Sequence, residues 1–147
     1  MATLMRKINI LSRAEGVYRS DKFNGTSLTP CHHSYVLAIS SNPGMSQDEL
    51  ARHLCVNKSG VTRHLAYLEK QGYVKRVTSE NDKRVCLVYP TEKMLEVFPQ
   101  VKEIVLSWNN YLAGALTDEE YATLHLLLDK IITKADVYVA TKGDDEF

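Results

Sequence analysis

The chain has 147 residues, 44% of them hydrophobic, and its 18 Lys and Arg balance 18 Asp and Glu for a formal net charge of +0. That length suits one soluble unit with a real core, no apolar run is long enough to span a membrane, and the N-terminal MATLMRKINILSRAEGVYRS lacks the continuous apolar stretch of a secretory signal. Three cysteines, an odd number without metal-type pair spacing, argue against a disulfide framework and for reduced thiols in the cytoplasm.

The predicted elements begin with an amphipathic helix, in which Leu4, Ile8, Leu11 and Ala14 or Glu15 start an apolar stripe. Thr29-Pro30 opens a second helical segment carrying Tyr35, Val36, Leu37 and Ile39, and Ser41-Asn42-Pro43-Gly44 breaks it. Ser46 and Glu49 then form a capping box, in which hydroxyl and carboxylate each satisfy a backbone N–H that the helix start leaves unpaired. Leu50, Ala51 and Leu54 mark the buried face of this short helix, and the small Ala51 lets a second helix cross closely. Asn57 caps that second helix, Val61, Leu65 and Leu68 continue the buried stripe, and Gly72 supplies a left-handed stop.

After Gly72 the period changes from helical to twofold. Tyr73, Val74, Arg76, Val77 and Thr78 favour one strand, and Val85, Leu87, Val88 and Tyr89 favour its return. Between them Ser79-Glu80-Asn81-Asp82-Lys83-Arg84 is a polar turn that projects as a hairpin tip. Two helices followed by such a hairpin make a winged helix-turn-helix, which suits a major groove and the neighbouring minor groove of duplex DNA. Beyond the wing, Thr91 caps a helix to about Ala113 in which Pro99 removes one donor and is expected to kink it. Thr117 and Glu120 form another capping box, and Tyr121, Leu124, Leu127, Leu128, Ile131 and Ile132 make a broad apolar face. The charged end, residues 142–147, is expected to fray.

The balanced charge is unevenly distributed. Residues 1–56 carry +2, residues 57–90 carry seven basic against three acidic groups for +4, and residues 91–147 carry −6. The basic excess falls on the motif, as a DNA-binding surface requires.

The stretch LTPCHHSYVLAISSNPGMSQDELARHLCVNKSGVTRHLAYLEKQGYVKRVTSENDKR resembles the MarR family of bacterial transcriptional regulators, with similarity from about Ile8 to about Ala135. Its most specific parts are NKSGVTRHLAYLEKQGYVKR, the wing signature Asp82-Lys83-Arg84 and the Pro90-Thr91-Glu92-Lys93 helix start. The resemblance implies a dimeric DNA-binding repressor, less often an activator, with the second helix in the major groove, Arg84 in the minor groove and Asp82 holding the wing. Cys55 stands where the family often has Gly, and a non-glycine residue tolerates a left-handed backbone less well.

The expected architecture is mainly α with a small β wing (α+β). Residues 1–28 and 113–147 form a helical dimerisation region, and residues 29–112 form the winged helix-turn-helix DNA-binding region with a linking long helix. Apolar faces at both ends of so small a chain are most economically buried between two chains of a twofold homodimer. Candidate DNA contacts are Asn57, Lys58, Ser59, Gly60, Thr62, Arg63 and His64 on the recognition helix, where small donors and an Arg reach phosphates or base edges, with Lys83 and Arg84 on the wing. Two recognition helices about 34 Å apart would meet successive major grooves of a pseudo-palindromic operator. A small-molecule effector, organic and aromatic or anionic, is expected in a crevice near Tyr18, His32, His33, Tyr35 and Trp108, where it would change the helix spacing and lower DNA affinity.

Cys31-His32-His33 supports an alternative, a regulator that senses a metal or thiol oxidation. Adjacent residues stand about 100° apart on a helix, so the two His point in different directions. A metal needs three or four converging ligands, and no second dense His/Cys group follows, so neither metal nor cofactor is expected. Cys31 then reads as a small apolar helix residue, and Cys55 and Cys86 as small buried ones. No glycine-rich phosphate loop, paired carboxylates or placed nucleophile and base indicate an enzyme. A winged helix used only to bind protein is disfavoured by the exposed basic side chains Lys58, Arg63 and Arg84.

Overall fold

The computed structural model describes residues 1–143, with side chains through 138, so the charged end expected to fray lies, beyond Gly143, outside the described residues. Residues 1–108 make one compact unit and residues from 109 onward a second.

The first unit opens with α1 (Leu4–Lys22), capped where the Thr3 hydroxyl accepts from the Arg6 N–H at 3.3 Å. No residue of α1 is fully buried, and Leu4 and Leu11 of its stripe are exposed. A single 3-10 turn (Pro30–His32) leads into α2 (His33–Ser41), which buries Tyr35, Val36, Ala38 and Ile39. Gly44, at φ 86°, turns the chain into β1 (Met45–Ser46), a two-residue strand absent from the expected elements.

The capping box of α3 (Gln47–Leu54) is present in both directions, with Glu49 N–H on the Ser46 hydroxyl at 3.1 Å and Ser46 N–H on the Glu49 carboxylate at 2.8 Å. α4 (Lys58–Lys70) starts on Asn57, whose side-chain oxygen accepts from the Gly60 N–H at 2.6 Å, and it buries Val61, Leu65 and Leu68 completely. Between α3 and α4, Cys55 adopts φ 54°, ψ 43°, and is the one non-glycine residue at positive φ among the described residues. The turn therefore keeps the geometry glycine would give it, at a backbone cost of about 1–3 kcal/mol.

Gly72, at φ 80°, turns the chain out of α4, and β2 (Val74–Thr78) pairs antiparallel with β3 (Cys86–Pro90). β3 is the central strand, with β1 on its other edge. The register places Val88 opposite both Met45 and Arg76, and Leu87 opposite both Ser46 and Val77. Val88 is wholly buried and joins the core formed by α2, α3 and α4, which Met94, Val101 and Ile104 of α5 (Glu92–Ala113) complete. Pro99 lies inside α5, which runs on as one helix.

In the second unit, α6 (Asp118–Gly143) begins at the expected capping box, with Glu120 N–H on the Thr117 hydroxyl at 3.2 Å and Thr117 N–H on the Glu120 carboxylate at 2.9 Å. Leu124, Leu127, Ile131 and Ile132 along it are exposed. No helix among the described residues is long and apolar enough to cross a membrane.

Candidate nucleic-acid interface

The first turns of α4 expose Lys58, Ser59, Thr62 and Arg63 at a helix N-terminus, where unpaired N–H groups and the helix dipole favour negative charge. Part of this set is occupied locally. The Thr62 hydroxyl donates to the Lys58 carbonyl at 3.0 Å, the Ser59 hydroxyl to the Asn57 side-chain oxygen at 3.0 Å, and Lys58 Nζ lies 3.3 Å from Asp48 of α3. That ion pair is exposed on both sides and so is easily traded for another anion. Gly60 serves the cap: a Cβ there would stand 2.9 Å from the Asn57 oxygen that starts the helix. Asn57 and Gly60 thus shape the surface on which Arg63 is presented.

His64 departs from the expected outward set. It is half-buried, and its Nδ1 lies 3.2 Å from Nε2 of the buried His32. The reason is positional: residues 61, 64, 65 and 68 follow the i, i+3, i+4, i+7 rule of a buried face, and His64 stands at the edge of that stripe. His32 is also stacked on Tyr67, with ring centroids 5.0 Å apart, and Tyr35 packs on His64 at 5.2 Å. The Tyr67 hydroxyl donates to the Ser27 carbonyl at 2.6 Å, tying the loop before the 3-10 turn to α4. Burial and the neighbouring His64 ring hold His32 well below the ordinary histidine value, at about 4. A cleft of about 370 Å³ opens beside this cluster, lined by Thr29, His32, Arg63, His64 and Tyr67.

The five residues expected around one crevice divide into two groups. His32 and buried Tyr35 join His64. Tyr18 stacks on Trp108 at 5.0 Å, and His33 turns toward α1, where Arg19 Nη1 donates both to its ring and to the Pro30 carbonyl, the latter at 2.6 Å. Burial first, and then the Arg19 charge, push His33 below its ordinary value. The two adjacent histidines do diverge as expected. The expectation that no further ligand converges is corrected, because His64 arrives from α4: Cys31, His32 and His64 offer ligand atoms within 4.8 Å of one another. The expectation that Cys55 and Cys86 are buried is corrected too, since Cys55 is exposed and Cys86 intermediate, and Cys31, read as a helix residue, is exposed in the 3-10 turn. A short turn before α2 and the turn between α3 and α4 leave their side chains no core to enter.

At the wing, Ser79 N–H donates to the Val85 carbonyl at 2.8 Å and Val85 N–H to the Asp82 carbonyl at 2.9 Å, closing the tip. Asp82 accepts from the backbone N–H of Arg84 at 3.0 Å and from its guanidinium, and these bonds hold the carboxylate below its usual range. Lys83 and Arg84 are exposed.

Residues 25–85, which hold α2, α3, α4, β2 and the wing tip, match the family model described as the MarR family. Over 131 residues the chain is 28% identical to the uncharacterized HTH-type transcriptional regulator YybA of Bacillus subtilis (strain 168), covering 89% of this chain and 87% of that one. A MarR protein from Peptoclostridium difficile superposes with a TM-score of 0.89 at 28% identity, over 93% of this chain and 90% of its own. The chain belongs to the MarR family. A MarR family transcriptional regulator from Listeria monocytogenes, solved complexed with a 26mer DNA, is also similar, with a TM-score of 0.88 and 25% identity over 97% of this chain and 95% of its own. The protein is accordingly a winged-helix transcriptional regulator, and its relatives are regulators rather than enzymes.

Proposed function

We propose that the chain is a homodimeric, effector-responsive repressor that binds a pseudo-palindromic operator and acts in the cytoplasm. The observation that carries this is the exposed start of α4, where Ser59, Thr62 and Arg63 stand clear of the core in the segment bearing the basic excess. In this reading Thr62 and Arg63 meet base edges, Lys58 and Ser59 meet phosphates, Lys83 and Arg84 contact the backbone and minor groove, and Asp82 shapes the wing. Residues 29–112 bind DNA. Residues 1–28 and 113–147 form the dimer, supported by exposed Leu4, Ile10, Leu11 and Val17 on α1 and Leu124, Leu127, Ile131 and Ile132 on α6.

Effector response is supported by the cleft beside Arg63. An occupant there touches His64 on the recognition helix and His32 on the turn before α2, so it can hold one placement of α4 over another. The test is a footprint on the DNA flanking the protein's own gene, followed by titration at two salt concentrations. A protected site with twofold symmetry, and affinity that falls steeply with salt, is expected. Binding that is absent, or indifferent to salt, overturns the reading.

A further inference from the structure

Cys31 and His32 lie in the 3-10 turn before α2, and His64 lies in the second turn of α4. We propose that these three side chains bind a divalent cation of the zinc class, and that the bound ion strengthens DNA binding by fixing the recognition helix to that turn. The second half of this statement rests on the DNA-binding reading above and names its effector as a metal in place of an organic ligand.

The decisive distance is that between His32 Nε2 and His64 Nδ1, 3.2 Å. Two nitrogens bound to one tetrahedral zinc at about 2.0–2.1 Å stand about 3.3–3.4 Å from each other, so two ligands are already in place. The same geometry asks a sulfur to stand about 3.5 Å from each nitrogen, and Cys31 Sγ, within 4.8 Å of a ring nitrogen of each histidine, needs to close a gap of roughly 1.3 Å to meet it. The thiol is exposed on a side chain with one rotatable bond, so a rotamer change supplies most of that shift.

One thiolate and two neutral imidazoles are a borderline-soft donor set, suited to zinc and poorly suited to magnesium or calcium. Three protein ligands leave a fourth position for water, and the adjoining cleft gives it room. Without metal, the Thr29 N–H donates to His32 Nδ1 at 3.1 Å, which leaves the ring proton on Nε2, facing His64. Binding moves that proton to Nδ1, where the Thr29 hydroxyl, also 3.1 Å away, accepts it and orients the ring. One cap hydrogen bond is given up, and one proton, from the Cys31 thiol, is released for each ion bound. His33 takes no part, because its ring faces Arg19 and the Pro30 carbonyl. The ion with its thiolate adds one positive charge beside Arg63, and its bonds span the turn and α4; both effects favour a polyanion bound at the helix.

The full-length protein, stripped with a chelator, is titrated with cobalt(II) and then zinc(II). A thiolate-to-cobalt charge-transfer band saturating at one ion per chain, and displaced by zinc, is expected. Cys31→Ser removes the band, His64→Gln weakens zinc binding by at least about tenfold, and His33→Gln leaves it unchanged. Cys31 is exposed, so its variant keeps the test sound even if His64→Gln folds poorly. Zinc should tighten wild-type binding to the footprinted DNA by about tenfold and leave the Cys31→Ser variant unaffected. The proposal is overturned if no thiolate band forms, if Cys31→Ser binds as wild type does, or if zinc leaves DNA affinity unchanged or lowers it. A protein that binds no DNA either with zinc or without it defeats the regulator reading alone, and the cobalt spectrum still decides the metal site.

Discussion

Asp82 and Arg84 hold each other at the tip of the wing: Asp82 Oδ1 accepts from the Arg84 N–H at 3.0 Å and from Nε at 3.1 Å, and Oδ2 accepts from Nη2 at 3.1 Å. The backbone bond shapes the turn, while the guanidinium bonds hold an exposed cation that, on the reading proposed above, DNA would claim. Arg84→Ala should leave the fold and assembly intact, because an exposed tip supports no core, and should weaken operator binding by about 1–3 kcal/mol with a smaller salt slope. Mobility-shift titrations at two salt concentrations check this, and equal affinity at both would take the wing out of the mechanism.

Exposed apolar side chains on α6 give the second prediction. Wild-type protein should scatter light as a dimer at micromolar concentration, and Leu127→Asp, at a position 50% exposed in the single chain, should shift it toward monomer. A wild-type monomer at that concentration would refute the assembly.

Cys55 stores backbone strain in the turn between α3 and α4. Cys55→Gly releases it and gives up only a weak Sγ contact to the Arg52 carbonyl at 3.6 Å. The variant should be more stable by about 0.5–1 kcal/mol, raising the melting temperature by roughly 1–4 °C. A melting temperature equal to or below wild type contradicts this.

The position of His32 makes the zinc-free protein sensitive to acid. Its value of about 4 in the fold lies below the 6.5 of an ordinary histidine, so the unfolded chain takes up a proton that the folded ring refuses. Stability present above about pH 6.5 is therefore lost as the pH falls toward 4, on the order of 1–3 kcal/mol, and His33 contributes in the same direction. Urea midpoints measured across that window should fall for wild type and fall less for His32→Gln; parallel curves would dismiss His32 as the cause.

The helix boundaries were legible because they rest on local chemistry. Ser46, Asn57 and Thr117 satisfy backbone donors within three residues, and Gly72 ends a helix by its own conformational freedom. β1 was not legible, since a two-residue strand has no period and exists through its partner Val88, far along the chain. His64 carried a signal that its chemistry obscured. Its spacing from Val61 and Leu68 marks the buried face, but a histidine near a helix start also looks like a DNA contact. The convergence on Cys31 depends on how α2 and α4 pack, which no local pattern states. Likewise the stacking of Tyr18 on Trp108 joins residues 90 positions apart, so their shared aromatic character suggested a pocket where the two rings meet.

The central place of β3 sets where this protein can change. Because Leu87 and Val88 are each matched on both sides, inserting one residue into that strand turns Val88 out of the core and unseats the entry to α3 in the same stroke. An insertion between Glu80 and Asn81 meets no such register constraint, since the tip pairs with neither neighbouring strand and the bonds of Asp82 to Val85 and Arg84 stay in place. On the reading proposed above, affinity for DNA is thus free to diverge through the tip's length and charge while the register of β3 stays fixed, and redesign of the wing's reach belongs at the tip.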